Sequence, residues 1–129
     1  GCIIVKNSKI IAEGRNEIES TGNSLAHAEL NAINQAIKHL GYKHLFDCEI
    51  YITLEPCSMC AGAIVHARVK RVVFATTEPK SGAVCSQQRF FEQPFINWQP
   101  EVVAGVLQDE AKAMLQRFFK ERRALKKLT

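Results

Sequence analysis

The sequence predicts an α/β fold: a central mixed sheet with helices packed on its faces. Two observations carry this. Apolar runs of strand length alternate with helical stretches in the order ββαβαβ(β)α. The first two runs also lie close enough to form a hairpin, while the later strands alternate with helices and so favour parallel pairing. A chain of 129 residues fits one domain and buries a core without covalent staples.

Each element has its own local signal. "CIIVKNSKIIAEG" (2–14) is two apolar runs joined at Asn7-Ser8, both turn formers. "STGNS" (20–24) reads as a loop. "LAHAELNAINQAIKHLG" (25–41) sets Leu30, Ile33 and Ile37 at helical spacing, with Asn23 or Ser24 as the N-cap and Gly41 as the stop. "CEIYITL" (48–54) alternates as a strand, Pro56 suits the first turn of the helix that follows, and "KRVVFA" (70–75) is the next strand. Residues 76–100 carry Pro79, Gly82, Pro94 and Pro100 and are too long to be only a link. "EVVAGV" (101–106) is a fifth strand, and residues 107–128 form a closing helix.

Composition narrows the class. An apolar fraction of 47% and a charged fraction of 23% are those of a globular protein. No apolar run approaches membrane-spanning length and no secretory pattern opens the chain. The five cysteines (2, 48, 57, 60 and 85) have no framework spacing, which favours a reduced, cytoplasmic protein with a metal site over a disulfide scaffold. Cys2, Cys48 and Cys85 read as buried small hydrophobes; His39, His44 and His66 read as surface or packing residues. Charge is uneven: residues 1–111 hold 10 Lys/Arg against 12 Asp/Glu, and residues 112–129 hold 7 against 1. The positive excess therefore sits in the closing helix and suggests an anionic partner there.

Cys57 and Cys60 stand three apart at a strand-to-helix junction and lie on one helix face. A helix N-terminus favours their thiolate form, the form that grips a metal. Alone, such a pair also fits a redox couple or two buried small side chains. With no second Cys-x-x-Cys, a four-cysteine structural site is unavailable, and "AHAEL" (26–30) offers His27 as a third donor. Three protein ligands with a fourth position left for water are the arrangement of catalytic zinc. Glu29, two residues from His27, reaches the same place only if the site lies off the helix end. There it stands beside the metal as a base. Together these residues match the zinc-deaminase pattern H-x-E…P-C-x-x-C.

"HAE" (27–29) with "TLEPCSMCAGAIVHARVKRVVF" (53–74) resembles the bacterial tRNA-specific adenosine deaminases of the cytidine and deoxycytidylate deaminase superfamily. "GCIIV" (1–5), "EGRN" (13–16), "EPKSGA" (78–83) and "GVLQDEAKAMLQRFFKERR" (105–123) extend the likeness over nearly the whole chain. The resemblance implies a three-layer, cytidine-deaminase-like fold with a mixed five-stranded sheet and helices on both faces. It implies one Zn²⁺ per chain, held by His27, Cys57 and Cys60, with Glu29 as the proton shuttle that converts adenosine to inosine. It further implies Asn16 and the Ala28 backbone as substrate contacts, a tRNA anticodon stem-loop as substrate, and a cytoplasmic homodimer with no membrane association. For Asn16 the alternative is a loop residue capping its own turn.

Three departures stand out. Members of the family usually open with a helix before the first strand, where this sequence starts, so residues 1–129 are expected to be one deaminase domain without its N-terminal helix. "NSLAH" (23–27) replaces the usual Asp-Pro-Thr-Ala-His, and Glu78 stands where Asp is common. Two rivals share part of the pattern: a deaminase of a free base or nucleoside, of guanine or cytosine type, and a zinc-stabilised binding domain without turnover. The basic run Arg117, Lys120, Arg122, Arg123, Lys126 and Lys127 is either a phosphate-contacting surface or a solvated helix end complementing its dipole.

Overall fold

In the computed structural model, described at residues 1–104, 109, 113, 116, 117, 120 and 121, β1 (Cys2–Lys6) and β2 (Lys9–Gly14) form the expected hairpin. Asn7 and Ser8 take φ of 50° and 64°, the left-handed pair that a tight two-residue hairpin requires. β3 (Cys48–Leu54), β4 (Arg71–Thr76) and β5 (Glu101–Val103) complete a sheet of order β2-β1-β3-β4-β5. Pairing is parallel for β3–β4 and β4–β5, as expected of strands joined by crossovers. β3 nevertheless meets the hairpin antiparallel through β1, so the sheet changes sense between β1 and β3.

The helices differ from expectation in their starts. α1 (Ile18–Thr21) is a single turn that takes in the first two residues of the loop expected at 20–24, closed by the Thr21 hydroxyl donating to the Glu17 carbonyl. α2 (Ala28–Leu40) begins later than Asn23 or Ser24 would place it, with His27 extended at its N-cap. Asn23 instead accepts from the Leu25 N–H and shapes the approach loop. Gly41 ends α2 at φ 71°, its N–H donating to the Ile37 carbonyl. α3 (Ser58–His66) has Cys57 as its N-cap, so Pro56 precedes the helix rather than opening its first turn.

Strand pleating divides the core. Cys2, Ile4, Ile50, Ile52, Val72 and Phe74 face α2 and α3, while Ile3, Val5, Tyr51 and Val73 form a second buried cluster on the opposite face. α2 and α3 therefore share one face of the sheet. The closing helix expected over 107–128 falls largely outside the described residues; Asp109, Ala113, Gln116, Arg117, Lys120 and Glu121 are helical and exposed. The inner face of α2 is built from Ala32, Ile33 and Ala36, whereas Leu30 and Ile37 are only half-buried. Small residues let the helix lie close to β2.

The closest approach is at Gly14. A Cβ there would stand 1.9 Å from the Ala28 carbonyl oxygen and 2.8 Å from the Ala32 nitrogen. Both are backbone atoms, so the first turn of α2 would have to move. Gly14→Ala is expected to lower unfolding free energy by about 1–3 kcal/mol, the usual cost of overpacking. Urea denaturation of the two proteins measures it, and an unchanged midpoint would show that α2 can shift without cost.

Candidate metal centre and its cavity

Three donors converge where the N-termini of α2 and α3 meet at the carboxyl end of β3. His27 Nδ1 lies 3.7 Å from Cys57 Sγ and 3.5 Å from Cys60 Sγ. Nitrogen and sulfur ligands at about 2.0 and 2.3 Å from one zinc, across a tetrahedral angle, stand about 3.6 Å apart. The two separations therefore fit a shared ion. His27, Cys57 and Cys60 form the one such group of three possible ligands found among the described residues.

Local backbone explains the convergence. Cys57 is extended at the N-cap (φ −76°, ψ 176°), so its sulfur projects beyond the helix end, while Cys60 lies one turn in and is fully buried. His27 is likewise extended (φ −71°, ψ 152°), whereas Glu29 is already helical. The rule that residues two apart on a helix face opposite ways does not apply to a pair straddling the cap. Glu29 is buried and lines a cavity of about 250 Å³ together with His27, Ala28 and Cys57. Burial pushes the Cys60 thiol well up, and Glu29 and Cys57 beside it add to the effect. The thiolate-favouring helix terminus is thus outweighed at Cys60. A buried thiol beside a carboxylate ionises readily only when a cation joins them.

Asn16 and Ala28 both line the cavity. Asn16 Oδ1 also accepts from the Ile18 N–H at 3.0 Å, so the side chain shapes its own turn while it borders the cavity. Ala28 is the first residue of α2, where backbone N–H groups have no acceptor within the helix. Glu78 and Ser81, from the long connection, complete the rim.

Glu55 received no role from the sequence. It is buried and accepts from the backbone N–H groups of Glu78, Val84, Cys85 and Ser86 and from the Ser86 hydroxyl. Burial alone would raise its pKa; hydrogen bonds from Cys85, Ser86 and Glu78 overcome this and hold it at about 2. The available signal was an acidic residue between an apolar strand and a proline. Of the remaining cysteines, Cys2 and Cys48 are buried as expected, but Cys85 is exposed, because that loop turns its backbone N–H groups inward. His39 and His66 are exposed, and His44 packs edge-on to Phe46. Arg122, Arg123, Lys126 and Lys127 lie outside the described residues; Arg117 and Lys120 are exposed.

The model of the MafB19-like deaminases matches residues 1–123. A tRNA-specific adenosine deaminase of Rickettsia felis is 42% identical over 122 residues, covering 93% of this chain and 85% of the relative. A solved structure from studies of A-to-I editing by tRNA:A34 deaminases superposes with a TM-score of 0.79 at 37% identity, covering 88% of this chain and 82% of the other. Guanine deaminase of Bacillus subtilis superposes with a TM-score of 0.58 at 33% identity, covering 95% and 78%. The five-stranded mixed sheet and its helices are thus those of a deaminase, and the chain belongs to the tRNA-specific adenosine deaminase family among the MafB19-like deaminases.

Proposed function

We propose that residues 1–129 form one zinc-dependent deaminase domain that converts adenosine to inosine at the wobble position of a tRNA anticodon. The observation that carries the reading is a buried carboxylate, Glu29, beside one nitrogen and two sulfur donors at the wall of a cavity. Family membership and the likeness to the tRNA:A34 deaminase support the substrate. A cytoplasmic homodimer, with the second subunit helping to hold the RNA, belongs to the same reading. No described helix is long and apolar enough to cross a membrane.

His27 Nδ1 and the sulfurs of Cys57 and Cys60 would hold one zinc ion per chain. Zinc, when bound, supplies a Lewis acid that makes water nucleophilic near neutral pH. Glu29 takes the proton of the attacking water and passes it to N1 of adenine as C6 becomes tetrahedral. It then carries the second water proton to the departing amino group, which leaves as ammonia. One water is consumed, and adenosine becomes inosine. Ala28 offers its helix-start N–H to the base, and Asn16 borders the nucleoside from the β2–α1 turn. A site that served only to brace the fold would gain nothing from a buried carboxylate beside the donors.

Glu29→Gln keeps the shape but cannot carry the proton. Turnover of an anticodon stem-loop is expected to fall by about 10²–10⁴-fold or more, the usual span of general acid–base catalysis. Zinc content and stem-loop affinity should stay near wild type. The assay reads inosine on the stem-loop beside free adenosine and guanine. Wild-type turnover of guanine alone would favour the free-base reading, and near-normal activity in the variant would mean that another group carries the proton.

The basic closing segment gives a separate expectation. Neutralising Arg122, Arg123, Lys126 and Lys127 should weaken stem-loop binding and lower the log–log salt slope by about 0.7 for each lost contact to a single-stranded phosphate. Salt titrations of both proteins measure this. Identical slopes would make the segment a solvated helix end.

A further inference from the structure

Glu55 has no part in the proton transfers, yet it is the buried carboxylate most densely hydrogen-bonded among the described residues. Its Oε2 receives three successive backbone N–H groups, from Val84 at 3.0 Å, Cys85 at 2.8 Å and Ser86 at 3.0 Å. Its Oε1 receives the Glu78 N–H at 3.1 Å and the Ser86 hydroxyl. Successive N–H groups turned onto one oxygen form an anion-binding concavity, here filled by the protein's own side chain. Gly82 closes over it: a Cβ there would lie 2.3–2.5 Å from the carboxylate atoms. The Ala83 N–H donates to the Pro56 carbonyl at 2.9 Å, so the loop is tied to the strand-to-helix turn that ends in Cys57.

Both faces of this arrangement bear on the cavity. Glu55 and Cys57 line it, and so do Glu78 and Ser81 from the loop that Glu55 gathers. We propose that Glu55 is a positioning residue of the deaminase, the template on which loop 78–86 folds and by which Glu78 and Ser81 are held at the mouth of the cavity to seat the nucleotide. The inference rests on the deaminase reading and adds a residue to it. A carboxylate suits the task because it accepts on both oxygens, whereas an amide turns one end into a donor facing N–H groups. Its effect falls on substrate placement and leaves Glu29 and the metal donors where they are.

The test is Glu55→Gln, with Ser86→Ala as a milder perturbation from the loop side should the first fail to fold. Hydrogen exchange is expected to lose protection at residues 78 and 84–86 while β3 and β4 keep theirs. KM for the stem-loop should rise by about tenfold or more, the scale of one or two weakened contacts, with kcat changed by less than about threefold, since contacts that only seat the substrate act on binding. Glu55→Asp should recover part of the loss by restoring a carboxylate. Unchanged exchange in the loop, protection lost equally across the sheet, or an unchanged KM beside normal wild-type turnover would each overturn the positioning role alone. A wild-type protein that turns over no nucleoside or base would overturn the deaminase reading and this role with it.

Discussion

The site depends on two helices starting at the same point. His27 and Cys57 are both N-caps with extended backbones, and Cys60 is one turn further along α3. Because cap residues leave the helical path, their side chains project forward from the helix ends into shared space. That places the imidazole nitrogen 3.5–3.7 Å from each of the two sulfurs, the separation that ligands of one tetrahedral ion would have. The same geometry lets Glu29 stand beside His27 without competing for its position.

Holding two helix ends together puts demands on the sheet. β3 must deliver Leu54 and then Glu55-Pro56 to the start of α3, and its parallel partner β4 returns the chain beside it. The antiparallel hairpin on the other side brings Gly14 against the first turn of α2, where only a missing side chain permits the contact. Loop 78–86 is then fastened to the junction by the Glu55 carboxylate. At the far end of the same connection, Arg68 reaches Asn97 and the Trp98 indole donates to the Val69 carbonyl at 2.8 Å. The connection after β4 is therefore held at both ends, with one end serving the cavity.

Much of this was legible in the sequence, for reasons that can be named. The strands showed because their apolar runs are short and bounded by turn residues, and the hairpin because Asn7-Ser8 are turn formers. The convergence of His27, Cys57 and Cys60 was foreseeable because few residue types, at few spacings, are able to share a metal. The start of α2 was misplaced because Asn23 and Ser24 are good caps by composition, while the actual caps of α2 and α3, His27 and Cys57, make no side-chain cap hydrogen bond. Of Leu30, Ile33 and Ile37, the residues whose spacing marked α2, only Ile33 is buried, because a helix lying close on a strand also buries alanines, here Ala32 and Ala36. Glu55 was missed because a carboxylate that binds backbone N–H groups thirty residues away leaves no local pattern.

The central claim is that the three convergent donors hold a zinc ion with one position left open beside Glu29. X-ray absorption at the zinc edge on the purified protein tests it most directly. The expected result is one zinc per chain, with two sulfurs at about 2.3 Å and two lighter atoms, one an imidazole nitrogen, at about 2.0 Å. A shell of four protein ligands, or a protein that takes up no zinc, would contradict it.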